Sequence, residues 1–269
     1  MDVLEENKNE LEKLAETFEI DGYKATADLI RKLKSSIPGK PDEMNKIYGD
    51  IVRTFKKEYA IDTFKKELFE HIENAVVSCI QNLKEKFAPK LLELKPLFED
   101  MRKTAKNIEV VSKVFMKTND IMERYFGTCF IYLLQIEGEF DSIVRLLYVL
   151  KMAERGVDVS LDDVYKMSLH CLHKKLKDLG MPGMLFKGWN NHIRNAIAHA
   201  HFTFDKETKC MIFVDINPTT GEEIYKETLP LNKFNEYVSA IDEVCNIFQL
   251  LLLLLRVFDL MINSWQKKN

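Results

Sequence analysis

Apolar residues recur along this chain at spacings of three, four and seven, the pattern of amphipathic helices. Leu4, Leu11, Leu14 and Phe18 open the series, and Asp21-Gly22 breaks it. A second helix is predicted over about 23–35, stopped by Pro38-Gly39-Lys40-Pro41, and a third begins at Asp42 or Asp50. From Asp62 to about Phe87, the residues Phe64, Leu68, Ile72, Val76, Cys79 and Leu83 form one continuous helical stripe, and Pro89 and Pro96 punctuate the stretch after it.

In the second half, Thr118-Asn119-Asp120 before Glu123 reads as a helix start, with cap candidates and an acidic first turn. That helix is predicted to run unbroken to Gly156. Ser160 with Asp163 resembles a capping box and opens a helix over about 161–179, ended by Gly180-Met181-Pro182-Gly183; another covers about 184–200. The texture then changes. HFTFD, CMIFVDI and EIYKETL are short, β-branched and aromatic, which predicts a small hairpin or a three-stranded ribbon. A last helix over 232–265 is apolar almost all round at its centre. The expected fold is therefore all-α: a four-helix bundle with a small β-hairpin insertion between the third and fourth helices, preceded by an N-terminal helical region. A lysine-rich stretch places the boundary between residues 1–117, of unknown role, and the bundle, 118–269.

Composition narrows the function classes. Ten glycines and seven prolines in 269 residues argue against a turn-rich all-β fold, and a net charge of -3 gives no bulk attraction for nucleic acid or anionic membrane. Any such site must be local. The five cysteines are scattered and form no CxxC, so neither a disulfide framework nor a zinc ribbon is expected. The acidic, polar N-terminus does not read as a secretory signal. The leucine run Leu250–Leu255, bracketed by Gln249 and Arg256, falls short of the roughly 18–20 apolar residues of a spanning helix. The expected setting is cytoplasmic, with no membrane partner.

Local chemistry concentrates between 170 and 201. Five of the six histidines lie there (170, 173, 192, 199 and 201), with Lys174, Lys175, Lys177, Lys187 and Arg194 against the single acid Asp178. Such a patch attracts phosphates even in a slightly acidic chain; the alternative for the lysines is a solvated helix face. His170 and His173 are two local metal donors at i, i+3, but no further ligand motif accompanies them, so no metal is expected. On a helix, Asn195 and His199 lie nearly above one another and His192 falls close to the same line, with Arg194 one step around. Glu137, Glu139 and Asp141 are acids in an otherwise apolar helix. A carboxylate there can reach the arginine or tune a histidine, or simply line a solvated stripe.

Arg194-Asn195-x3-His199 resembles the R-N-x3-H form of the HEPN superfamily motif, over roughly residues 119–265. Arg194 is also the only arginine with histidines at the family's allowed spacing; both His199 and His201 qualify, and the Asn195 register favours His199. The resemblance implies a metal-independent endoribonuclease that needs no cofactor, with Arg194, Asn195 and His199 at the centre. His192, His201 and Glu137 are possible helpers, and Lys174, Lys175 and Lys187 candidate RNA contacts. It further implies a homodimer pooling two motifs across a two-fold axis, RNA as substrate, an antitoxin or regulatory protein as a possible partner, and a role in prokaryotic defence. Apolar surface along 247–262 is a candidate part of that dimer interface, with a plain core helix the equal alternative for those leucines. The rival readings are a non-catalytic nucleotide-, RNA- or protein-binding module and a purely structural scaffold.

Overall fold

The computed structural model describes residues 3–35, 41–59, 66–74, 94–115 and 117–268, and the chain divides into two compact units. Most of the predicted stripe over 62–87 lies outside the described residues; 66–74 is helical.

The first unit joins residues 1–70 to 247–269. It contains α1 (Val3–Ile20), α2 (Lys24–Ser35) and α3 (Pro41–Tyr59). Phe55 is its hub, with ring centroids 5.8 Å from Phe18, 5.0 Å from Tyr23 and 5.4 Å from Tyr59. Edge-to-face and stacked rings of this kind add to the stabilisation that burial already gives. Glu58 caps α2 by accepting from the backbone N–H of Ala25 (2.7 Å) and Thr26 (2.9 Å), a carboxylate placed where helix amides lack partners. Arg256 and Ser264, far down the last helix, bond Glu10 and Asn7 of α1. In the same unit Leu250, Leu251, Leu254, Val257 and Leu260 are buried. Of the two readings of 247–262, a dimer surface or a core helix, these burials match the core helix, with Leu252 and Leu253 only partly covered.

The second unit spans residues 71–246. Its first described helix, α4 (Lys95–Phe115), packs on the helical stretch beyond it in the chain. This is why the division differs from the sequence boundary at 117/118. Pro96 sits in the first turn of α4, where its missing N–H has no helical partner to lose. Asp120 caps α5 (Ile121–Leu134) by accepting from Met122 N–H (2.7 Å) and Glu123 N–H (3.3 Å). The helix predicted to run unbroken to Gly156 is interrupted by a π-helical turn, Gln135–Phe140, before it resumes as α6 (Asp141–Glu154). Gly138 lies within that turn against Thr104 of α4, where a Cβ would overlap the threonine side chain.

Two further predicted helices are each divided. Ser160 caps α7 (Leu161–Tyr165) as expected, but Ser168 starts a separate α8 (Leu169–Asp178) by accepting from Cys171 N–H at 3.2 Å. Arg145 of α6, buried and held by Asp141 at 2.6 and 3.0 Å, donates to the carbonyls of Val164 and Met167. A cation on these carbonyls satisfies the end of α7 and favours a stop there. The segment read as a helix over 184–200 becomes a short 3-10 turn, Gly183–Phe186, and then α9 (Asn191–Ala198). Asn190 caps α9 by accepting from His192 N–H (3.0 Å) and Ile193 N–H (3.2 Å). Ala200 takes a left-handed φ of 57°, and His201 N–H reaches Ala196 C=O at 2.7 Å, a Schellman-type stop.

The β segment is a three-stranded antiparallel sheet in sequence order, β1 (Phe202–Asp205), β2 (Cys210–Ile216) and β3 (Glu223–Pro230), rather than a single hairpin. Alternation along β2 buries Met211, Phe213 and Asp215. Phe213 meets Phe234 at 5.1 Å on the last helix, α10 (Leu231–Lys268). The stretch Leu231–Leu254 is long and apolar enough to cross a membrane by length and composition alone. The short leucine run considered by itself understated this. Phe234, Ile241, Val244 and Cys245 are nonetheless buried among the protein's own side chains, as in a core helix.

Gly188 touches α10 so closely that a Cβ would overlap the Tyr237 carbonyl and the Ile241 amide, both backbone atoms. Gly188→Ala is expected to destabilise the fold by ~1–3 kcal/mol, read as a lower melting temperature.

Candidate functional site

The site is built on α9, a two-turn helix fixed at both ends. At its start, Tyr132 of α5 donates its hydroxyl to Gly188 C=O at 3.0 Å and accepts from Asn190 N–H at 3.1 Å. Burial pushes the Tyr132 phenol well above its ordinary value, so it stays protonated and able to donate. Ile193, Ala196 and Ile197 bury the inner face of the helix. The remaining face carries the polar residues.

Those residues form one connected chain of hydrogen bonds. Arg194 Nε donates to Glu137 Oε1 from the π-helical turn. Arg194 Nη1 donates to Asn195 Oδ1 at 2.9 Å. Asn195 Nδ2 donates to Asp215 Oδ2 at 3.2 Å, and His192 Nδ1 lies 2.8 Å from that same oxygen. Asp215 is only 3% exposed, so its charge is compensated by these partners rather than by water. With the Nδ1 proton directed at a carboxylate, a neutral His192 presents its Nε2 lone pair outward. The ring lies on Tyr225 at 4.5 Å, nearly parallel. Burial, together with its donation to Glu227, pushes the Tyr225 phenol up to about 12. Asn190 holds the same hydroxyl at 3.3 Å.

Beside Arg194 lies a cavity of about 250 Å³ whose lining includes Glu137, Asp141, Arg145, His170 and Trp189. Burial raises the Asp141 carboxyl above its ordinary value, against the opposing effect of Arg145.

The structure thus brings together four of the sequence candidates: Arg194, Asn195, His192 and Glu137. It does not bring His199 and His201 into that chain. Both are exposed beyond the last turn of α9, their rings 6.1 Å apart, although His199 N–H still bonds Asn195 C=O at 3.0 Å. Lys174 and Lys175 stand on α8, and Lys187 in the turn before Trp189. Lys175 lies 5.9 Å over the Tyr148 ring, a packing contact as much as an available charge. His173 packs on Phe186 (4.1 Å) and Trp189 (5.0 Å). Among the described residues, no group of three His, Cys, Asp or Glu side chains is placed to hold a metal ion.

Sequence reasoning missed Asp215, Asn190, Tyr225 and Trp189. Asp215 carried a signal: it is the one acid on the inward phase of CMIFVDI, with Met211 and Phe213.

Residues 186–247 match the family model described as HEPN pEK499 p136. This stretch of the chain is a HEPN-family domain. The HEPN match runs from the end of the 3-10 turn through α9 and the sheet into α10, so Arg194, Asn195, His199, His192 and Asp215 all fall inside it. No curated protein and no solved structure matches the chain.

The packing of this HEPN segment can be tested at Asp215 within it and at His173, which packs on it from α8. Asp215→Ala removes the shared acceptor of His192 and Asn195, and is expected to cost ~1–3 kcal/mol in denaturant unfolding. For His173, burial first, then His170 and Lys177, hold the imidazole below its ordinary 6.5. The folded state favours the neutral ring, so this contribution is complete above pH 6.5 and is lost as the pH falls through the lower folded value. His173→Phe is expected to flatten the decline in melting temperature as the pH falls below about 6.5.

Proposed function

We propose that the protein is a metal-independent endoribonuclease acting on single-stranded RNA, with the HEPN-family segment at the centre of a four-helix bundle. The observation that carries this reading is the hydrogen-bonded chain linking a guanidinium, an amide, a buried carboxylate and an imidazole along one face of α9. An imidazole can move the protons of RNA transesterification, and a guanidinium can stabilise its charge; the amide and the carboxylate hold the two in place.

RNA supplies its own nucleophile. An imidazole accepts the 2′-OH proton as the 2′-oxygen attacks phosphorus. The P–O5′ bond breaks, and the leaving oxygen takes a proton to become a 5′-OH. The other product is a 2′,3′-cyclic phosphate. Arg194 stabilises negative charge as it accumulates on the non-bridging oxygens, and Asn195 orients the guanidinium. His199 is the histidine that the family motif assigns, and its exposure leaves it accessible to substrate. His192, held by Asp215, is the second imidazole. A homodimer would set two such faces around one strand, with His201, Glu137, Lys174, Lys175 and Lys187 as supporting contacts. A cytoplasmic defence or toxin role, restrained by an antitoxin or another regulatory protein, fits this activity.

The cavity beside Arg194 favours a second reading, a HEPN-type module that binds nucleotide or RNA without cutting it. Purified protein and single-stranded RNA in EDTA discriminate the two. Cleavage is expected, with 2′,3′-cyclic phosphate ends and DNA left intact. Arg194→Ala and His199→Ala should each reduce the rate by ~10²-fold or more. Intact RNA with the wild-type protein, or wild-type rates in both variants, removes the nuclease reading. Saturable binding without turnover supports the module.

A further inference from the structure

Arg194 stands between two environments. At about 100° per residue, Asn191 and Arg194 share one face of α9, and His192, Asn195 and His199 share the next. The 250 Å³ cavity opens on the first face, lined by Glu137, Asp141, His170, Trp189, Asn191 and Arg194 among others. It is smaller than the roughly 300–1,000 Å³ of sites for drug-sized ligands, and suits a single heterocycle.

Its charges select for a neutral occupant. Arg145 is committed to Asp141 and to two backbone carbonyls, and Arg194 is engaged by Glu137. Two cations against two anions give neither a free phosphate nor a metal ion a net attraction inside the cavity. Polar capacity nevertheless remains on the wall. Glu137 meets Arg194 through Oε1. Among the described residues its other oxygen has no hydrogen-bond partner.

We propose that this cavity is a nucleobase subsite, receiving the base next to the phosphate held by Arg194. His170 and Trp189 supply ring surface, and Glu137 accepts from the edge of the base. The proposal rests on the nuclease reading and names the substrate feature it selects. A carboxylate prefers a base whose edge donates. Guanine, with adjacent N1–H and N2–H₂ donors, fits best; uracil, whose one N–H lies between two carbonyl oxygens, fits worst.

The test is to digest a pool of short RNAs with a randomised centre, in EDTA, and to sequence the new 5′-OH ends. The wild-type protein is expected to favour G over U by about tenfold at one position flanking the cut. His170→Ala and Glu137→Gln should each bring that ratio to within about threefold of unity. The ratio is read within each protein, so a change in overall rate cancels. Cleavage without base preference, or a ratio unchanged in both variants, overturns the subsite. If the wild-type protein cuts no RNA, the nuclease reading fails and the subsite is judged by calorimetry with guanosine and uridine. Guanosine binding that weakens in His170→Ala then retains the subsite; no binding, or equal binding of both nucleosides, overturns it.

Discussion

Asp215 is buried on the inner face of β2, and a carboxylate there is tolerable because two side chains of the neighbouring helix donate to it. The constraint works in both directions. The sheet needs these donors, and α9 needs this acceptor to hold His192 and Asn195 in one orientation. Asn195 in turn accepts from Arg194, which reaches Glu137 in the π-helical turn. One buried charge therefore connects elements distant in sequence and fixes the polar face on which the proposed chemistry rests.

The same logic of satisfying backbone and charge explains where the helices stop. Arg145 provides donors for the carbonyls at the end of α7 and is itself neutralised by Asp141 one turn earlier. Tyr132 bridges Gly188 and Asn190, so α9 begins where a phenol from another helix anchors the turn before it. Ala200 then accepts a left-handed conformation to end the helix, and the histidines on either side of it project into solvent. A helix of two turns is too short to persist alone; it exists because its ends are held and its inner face is buried.

Much of this was legible in the sequence, and the misses share a cause. Asp120 and Ser160 were readable as caps because their bonds are local. The R-N-x3-H spacing was readable because it repeats the turn of a helix. The interruptions at 135–140 and 166–168 were not readable, because no glycine or proline marks the second and the first shares its pattern with a continuous helix. Both accompany contacts from distant residues: Thr104 against Gly138, and Arg145 on the carbonyls of Val164 and Met167. The β2 alternation pointed Asp215 inward, but its partners lie 20 and 23 residues away and required the helix to be docked on the sheet. The cavity is assembled from three separate stretches, which no single window of sequence contains.

The pairing of Arg194 with Glu137 has a consequence for any anion that enters. The guanidinium is already oriented and partly neutralised before any ligand arrives, because Nε is spent on a carboxylate of the same protein. What an anion meets is the outer edge of the fork, its direction set in advance. Less side-chain freedom is left to lose on contact, and less net charge is left to attract.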